Sequence, residues 1–172
     1  MAASIFQPLD KKAAGLAFVL GLATILGALG SQFIGGLYPC ELCLEQRQAY
    51  YWGLPLLLVV LVTWNRLPLT AWYVIMAIVT AIFVWGTYMG AFHAGVEWGF
   101  WPGPTACTGV GDPMDFNSLS TMNETHIIGC DVVQFRLFGL SLAAYNAIIS
   151  LGIVVLLLVS IFAQVRHNKR AA

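Results

Sequence analysis

A run without a single charged side chain occupies residues 67–92, which read LPLTAWYVIMAIVTAIFVWGTYMGAF. A membrane-spanning helix needs about 20 consecutive, mostly apolar residues, so this run is long enough to cross a bilayer. Three further runs lack Asp, Glu, Lys and Arg, at residues 13–40, 48–65 and 137–165. Each is long enough, or nearly so, to cross as well. The sequence therefore predicts a bundle of four transmembrane helices.

The composition of the whole chain also indicates a membrane protein. Of 172 residues 59% are apolar, against 8 basic and 8 acidic side chains, and the mean hydropathy is +0.80. A water-soluble globule of this size cannot bury so much apolar surface. The abundance of Leu, Ile, Val and Phe excludes disorder, and a net charge of +0 presents no basic face to nucleic acid. We predict an all-α membrane protein, one integral domain over residues 1–172, with the lipid bilayer as its surroundings.

Basic side chains predict how the bundle is oriented. We place the helices at about residues 13–34, 45–64, 68–92 and 138–164, with outward loops at about 35–44 and 93–137. Six of the eight basic residues lie at the two ends of the chain or between helices 2 and 3: Lys11, Lys12, Arg66, Arg166, Lys169 and Arg170. The positive-inside rule then makes both termini cytoplasmic. A cleaved N-terminal signal peptide is the alternative, but the first apolar run is too long for a typical one.

All four cysteines fall in the two outward loops or at their membrane edges: Cys40, Cys43, Cys107 and Cys130. This placement indicates an oxidising compartment. Two structural disulfides are the simplest interpretation, yet a bridge within C-x-x-C stabilises by only about 2 kcal/mol, against about 3.5 for a bridge between the two distant cysteines. C-x-x-C suits redox exchange better, because its second thiol can resolve a mixed disulfide. For the distant pair, redox and structural roles both stay open.

The sequence shows no motif that is typical of a metal, haem or dinucleotide site. A Cys₄ zinc site usually arrives as two close pairs, whereas Cys107 and Cys130 are far apart, so no metal is predicted. A c-type haem needs a histidine after C-x-x-C, where Leu44 stands, and only His93 lies near a helix end as a b-type haem would want. No G-x-G-x-x-G follows a strand. By elimination, a lipid-soluble quinone remains as the electron acceptor.

Two features near the first cysteine pair, a helix start and Arg47, favour a reactive thiolate. If helix 2 begins near Cys43, the helix dipole stabilises that thiolate, and Arg47, four residues on, lies on the same face. The alternative for Arg47 is an interfacial anchor that reaches the lipid headgroups. Glu41 and Glu45 read as solvated charges.

In helix 1, the small residues Ala23, Gly27 and Ser31 are spaced as in helices that approach one another closely.

The order of these features resembles the DsbB family of membrane thiol–quinone oxidoreductases. Residues 39–43, Pro-Cys-Glu-Leu-Cys, carry the resemblance together with Arg47, and so do residues 93–98, His-Ala-Gly-Val-Glu-Trp, leading to residues 103–107. The resemblance covers nearly the whole chain. A related family of vitamin K epoxide reductase type also has four helices, but there C-x-x-C comes near the last helix. The DsbA–DsbB–quinone system keeps the bacterial periplasm oxidising, so the resemblance implies the bacterial inner membrane, with periplasmic cysteine loops.

The resemblance also implies a role for each cysteine. Cys107 would be attacked by a reduced, DsbA-like, thioredoxin-like dithiol oxidase of the periplasm, and Cys130 would be its disulfide partner. Cys40 would exchange with this pair, and Cys43 would pass electrons to a quinone, ubiquinone or menaquinone. Arg47 would lie beside the quinone ring.

His93 would also border the quinone, with a purely structural histidine as the alternative. The spacing of Cys107 and Cys130 is compact for the family, which puts in doubt whether this loop carries a membrane-lying helix. Residues 97–101, Glu-Trp-Gly-Phe-Trp, read as an interfacial anchor. Two other functions stay open: a non-catalytic scaffold held by two disulfides, and a thiol reductase running in the opposite direction.

Overall fold

The computed structural model describes residues 8–104 and 129–171, and this part of the chain forms four helices and one short hairpin. The helices are α1 (Pro8–Phe33), α2 (Glu41–Val62), α3 (Leu69–Glu97) and α4 (Leu142–Ala171). The hairpin pairs β1 (Arg136–Leu137) with β2 (Leu140–Ser141) in antiparallel register. The predicted helical fold is confirmed. Cys107 and most of the second outward loop lie outside the described residues.

Three of the four described helices are long and apolar enough to cross a membrane: Leu9–Phe33, Leu69–Glu97 and Leu142–Lys169. The chain is therefore a multi-pass membrane protein. Helix α2 is long enough but more polar, because Glu41, Glu45, Gln46 and Arg47 lie in its first two turns. Its passage through the membrane stays a prediction.

The helix ends differ from those predicted because the prediction stopped at polar residues. Helix α2 begins four residues earlier, since the Cys40 side chain caps it by accepting the backbone N–H of Cys43. Helix α3 continues past His93 to Glu97 and ends before Gly99, which has a positive φ of 75°. Helix α4 begins later, at Leu142, because the hairpin turns at Gly139, whose φ is 84°. His93 is thus a helical residue.

The helices form a ring in which α4 packs on α3 and α1, and α2 packs on α3 and more loosely on α1. At Gly90 of α3 a Cβ atom would come within 2.8 Å of the Ala147 backbone in α4. At Gly86 a Cβ atom would come within 2.8 Å of the Ala49 Cβ in α2. Glycine is therefore what allows α3 to lie so close to both neighbours.

An apolar core fills the half of the bundle nearer the α2–α3 connection. Its largest fully buried members come from α2, α3, α4 and the α2–α3 connection: Leu57, Trp64, Trp72, Met76, Val79, Phe83, Ile153 and Leu157. The rings of Trp64 and Trp72 meet edge to face with centroids 5.5 Å apart. The opposite half holds the cysteines and most of the buried polar side chains that contact one another across helices.

Candidate active site

Cys40 and Cys43 form a close thiol pair at the start of α2. Both are free thiols, Cys40 is buried, and their sulfur atoms lie 2.7 Å apart. The backbone N–H of Cys43 also donates to the Cys40 sulfur over 3.4 Å. A disulfide needs a sulfur–sulfur distance of about 2.05 Å, so the pair is held as a dithiol close to bonding distance.

The two thiols, which precede the predicted span at 45–64, titrate differently. The hydrogen bond from the Cys40 thiol lowers the pKa of Cys43, and the charge of Arg47 lowers it further. The same hydrogen bond raises the pKa of Cys40, as does its burial. Cys43 is therefore the more acidic of the two thiols, in the direction that the sequence predicted. The main cause is the neighbouring thiol, however, whereas the prediction relied on the helix dipole and Arg47.

Cys130 brings the second loop to this pair. It is buried and disulfide-bonded, while its predicted partner Cys107 lies outside the described residues. The side-chain atoms of Cys40, His93 and Cys130 that could bind a metal all lie within 4.8 Å of one another. A cysteine binds zinc as a thiolate, and a sulfur in a disulfide is not a thiolate. The cluster in this form suits thiol–disulfide exchange between Cys130 and Cys40.

A pair of hydrogen bonds between the loops supports this contact. The Gln134 side chain accepts the backbone N–H of Tyr38 over 3.0 Å and donates back to the Tyr38 carbonyl. Tyr38 lies two residues before Cys40, and Gln134 lies four residues after Cys130. The side chain of Gln134 thus takes the place of a strand partner and holds the two cysteine loops together.

His93 lies between the thiol pair and Cys130. Its side chain is buried, with Nε2 3.6 Å from the Cys40 sulfur and 3.2 Å from the Cys130 carbonyl oxygen. On the other side of the ring, Nδ1 lies 2.6 Å from Nε2 of Gln46. His93 therefore contacts the Cys40 thiol and the backbone of Cys130, and its predicted place beside a quinone stays a prediction.

A cavity of about 330 Å³ opens between α1, α2 and α4, below the thiol pair. Its polar lining comes mainly from Cys43, Gln46, Arg47, Tyr50 and Asn146, and small residues of α1 form another wall. The volume lies within the range of about 300 to 1,000 Å³ that is usual for ligand sites. Because Cys43 and Arg47 line the same cavity, a small ligand there can contact both.

Small residues of α1 form one wall of this cavity. We expected Ala23, Gly27 and Ser31 to let two helices approach, but all three line the cavity, and a Cβ atom at Gly27 would meet nothing within 4 Å. Their small side chains leave space that larger residues would fill.

The family model for disulfide bond formation protein DsbB matches residues 10–160. The chain belongs to the DsbB family. No curated protein and no solved structure matches the chain. The matched range includes all four cysteines, His93 and Arg47. Membership of the DsbB family confirms the resemblance and assigns the protein to disulfide bond formation, which is oxidoreductase chemistry.

In this DsbB-family protein α1 holds the side chain of Arg47. The guanidinium donates to the side-chain oxygen of Gln32 and, over 3.4 Å, to the carbonyl oxygen of Ala28. These contacts fix the cation at the cavity wall, which favours a role at the ligand over a headgroup anchor. Glu41 and Glu45 are exposed, in keeping with solvated charges.

Sequence reasoning missed several polar residues of this DsbB-family site. Gln46 is 5% exposed and contacts both His93 and Asn146, while Tyr50 contacts Asn146 and Ser150. A usable signal was present, because amide side chains are rare in apolar helices and usually face a protein partner or a cavity.

Proposed function

We propose that this DsbB-family protein is a thiol–quinone oxidoreductase that reoxidises a periplasmic, DsbA-like dithiol oxidase. The observation that carries the proposal is the position of the thiol pair between two partners. On one side, Cys43 lines the cavity together with Arg47. On the other side, the sulfur of Cys130 lies within 4.8 Å of the sulfur of Cys40. Electrons entering through Cys130 thus have a path to the cavity.

The exchange proceeds by four balanced steps. A thiolate of the reduced partner attacks Cys107 in a Cys107–Cys130 disulfide, and Cys130 leaves with the electron pair of the broken bond. The Cys130 thiolate then attacks Cys40 in a Cys40–Cys43 disulfide, which frees Cys43 as a thiolate. The second thiol of the partner attacks the mixed disulfide, so the partner leaves oxidised and Cys107 is freed. The Cys107 thiolate then attacks Cys130 in the Cys40–Cys130 disulfide, which leaves Cys40 and Cys43 as the dithiol that reduces the quinone. The disulfide-bonded state of Cys130 supports the first pairing, since Cys40 and Cys43 are free.

The cavity fits a quinone by its size, its apolar walls and the cation at its upper end. A bound quinone, ubiquinone or menaquinone, would accept two electrons and two protons and leave as quinol. This chain would hold the Cys43 thiolate at the cavity wall and orient the ring through the Arg47 guanidinium, which donates in a planar fork. The pool of membrane quinone is the source we propose.

We place the protein in the bacterial inner membrane with α2 as the fourth span, both termini cytoplasmic and the cysteine loops periplasmic. The distribution of basic residues supports this orientation. Reporter fusions after Arg66 and after Lys169 should behave as cytoplasmic, and fusions near Gly36 and Asp115 as exported. A reporter on the opposite side would overturn the placement of the cysteines.

The deciding experiment mixes the purified protein, without oxygen, with a quinone and a reduced thioredoxin-like dithiol oxidase. One quinone should be reduced for each partner dithiol oxidised. In a Cys130→Ser variant the mixed disulfide at Cys107 should accumulate on non-reducing gels, and a Cys107→Ser variant should lack it. Trapping of the partner at Cys40, with Cys107 intact, would contradict this order.

The same experiment separates the two other functions. A scaffold held by disulfides would leave the quinone oxidised, and mild reductant would not reach its 40–43 bond. A reductase would instead transfer electrons from quinol to the partner protein, so quinol would be consumed.

A further inference from the structure

A line of hydrogen-bonded side chains runs across the bundle from α4 to Cys40. In order, its oxygen and nitrogen atoms belong to Ser150, Tyr50, Asn146, Gln46 and His93. The successive donor–acceptor distances are 3.0, 2.6, 2.7 and 2.6 Å. The final contact, from His93 Nε2 to the Cys40 sulfur, is 3.6 Å. These side chains belong to three different helices, and none of them is a cysteine.

The direction of this line is set by a backbone carbonyl. Nε2 of Gln46 lies 3.1 Å from the carbonyl oxygen of Leu42, and a carbonyl oxygen can only accept a hydrogen bond. The amide nitrogen of Gln46 must therefore face Leu42, because the flipped amide would place two oxygens against each other. In this orientation the same nitrogen donates to Nδ1 of His93, and the amide oxygen faces Asn146.

The remaining bonds follow the same direction. Asn146 donates through its amide nitrogen to Gln46, so its oxygen accepts the hydroxyl proton of Tyr50. Tyr50 has only one such proton, so Ser150 donates to the Tyr50 oxygen. Every donor in the line thus points towards His93. Hydrogen bonds arranged in this way polarise one another and strengthen the chain.

This direction decides where His93 carries its proton. A neutral imidazole has one nitrogen that donates and one that accepts, and Nδ1 accepts from Gln46. The proton is therefore on Nε2. The atoms around Nε2 agree, since the carbonyl oxygen of Cys130 lies 3.2 Å away and a carboxylate oxygen of Glu97 lies 3.8 Å away. Both of these oxygens are acceptors.

We propose that Gln46, Asn146 and Tyr50 are positioning residues that hold His93 as its Nε2–H tautomer. The single ring proton then lies on the side of the Cys130 carbonyl oxygen, 3.2 Å away, and the Cys40 sulfur, 3.6 Å away, so a thiolate formed at Cys40 can accept it. His93 then stabilises Cys40 as a leaving thiolate when a Cys40–Cys130 disulfide is cleaved; this use of the tautomer rests on the proposed function. In that step the Cys107 thiolate, freed when the partner leaves oxidised, bonds to the Cys130 sulfur, and Cys40 keeps the electron pair of the broken bond. The other tautomer would present a lone pair to the thiolate and would repel it.

The tautomer can be measured directly by nuclear magnetic resonance on protein labelled with ¹³C and ¹⁵N histidine. The chain has three histidines, so replacing His126 and His167 by Gln leaves His93 as the only imidazole. The reduced protein should show the Nε2–H form. Gln46→Glu replaces the amide donor by a carboxylate oxygen and should move the proton to Nδ1 or add a second proton there. Gln48→Glu, the same change on the exposed face of α2, should leave the tautomer unchanged.

The consequence for Cys40 is tested by its rate of alkylation in a Cys43→Ala background. Gln46→Leu should slow alkylation of Cys40 about tenfold. A change of this size is expected because a hydrogen bond to a charged group contributes that much free energy. Asn146→Leu should give an intermediate rate, since Leu42 still orients Gln46, and Gln48→Leu should have no effect. An Nδ1–H form in the unsubstituted protein, or equal alkylation rates in the Gln46→Leu and Gln48→Leu variants, would overturn the proposal. Neither measurement uses quinone or a partner protein, so this proposal and the proposed function can fail separately.

Discussion

The two halves of the four-helix bundle are held together by different kinds of contact. In the half near the α2–α3 connection, Leu57, Phe83 and Ile153 belong to one buried apolar cluster. In the other half, Gln46 and His93 are equally buried but make directed hydrogen bonds. Helices in lipid gain little from burying apolar surface against each other, so close packing holds the first half together. Buried polar groups need partners, so hydrogen bonding determines the geometry of the second half.

This difference implies different responses to substitution. A change in the apolar half should alter stability and leave the chemistry intact, provided that the helices still pack. A change in the polar half should alter the chemistry, because each side chain there has one orientation set by its partners.

Cys43→Ser should abolish quinone reduction. A serine hydroxyl is not a thiolate at neutral pH and cannot form a disulfide with Cys40, so electrons cannot leave the pair. Anaerobic assay of quinone absorbance measures the loss. The thermal unfolding of the variant in detergent should match that of the unsubstituted protein, since sulfur and oxygen differ little in size. Residual reduction of quinone at the original rate would place the electron exit at another residue.

Arg47 should have the next largest effect. Arg47→Ala should slow quinone reduction about a hundredfold, and Arg47→Lys about tenfold, because lysine keeps the charge but loses the planar fork. Trapping of the partner at Cys107 should be unchanged in both variants. If folded Arg47→Ala protein reduces quinone at the normal rate, then Arg47 is an interfacial anchor after all.

Substitutions at the packing contacts between helices should change the stability of the protein. Gly90→Ala should lower the free energy of unfolding by about 1 to 3 kcal/mol, because the new Cβ would lie 2.8 Å from the Ala147 backbone. Gly15→Ala is the matched control, since its Cβ would meet nothing within 4 Å. It should raise stability by about 0.5 to 1 kcal/mol through helix propensity. Unfolding titrations in denaturing detergent compare the two, and equal effects would show that α3 and α4 do not need this contact.

The smallest effect concerns the pH dependence of the thiols in the reduced protein. The pKa of Cys43 is lowered from 9.0 and that of Cys40 is raised. As the pH falls below 9.0, Cys43 should therefore stay a thiolate and alkylate rapidly while Cys40 stays a protonated thiol. Cys40→Ala removes the thiol donor, so the pKa of Cys43 should rise and its alkylation at neutral pH should slow. Mass spectrometry of the alkylated peptides measures both rates, and faster alkylation of Cys40 would reverse the assignment.

Much of this protein was predictable because the information is local in the chain. Uncharged runs predict helices, since the backbone in lipid must satisfy its own hydrogen bonds. The C-x-x-C motif and Arg47 lie within two turns of one helix, so their proximity follows from helix geometry. The order of helices and cysteines was enough to recognise the DsbB family, which the family match over residues 10–160 confirms.

Other features were decided by tertiary structure alone. Gln46 is 47 residues from His93 and 100 residues from Asn146 in sequence, and no local pattern predicts that three such distant side chains meet. The Leu42 carbonyl that orients the Gln46 amide is local to α2, but the partners that complete the line, His93 and Asn146, come from α3 and α4. For the same reason the contact of His93 with Cys40 was not predicted, while its place beside the quinone stays a prediction. Local periodicity determines which residues form a helix, whereas the faces that meet depend on how the helices pack.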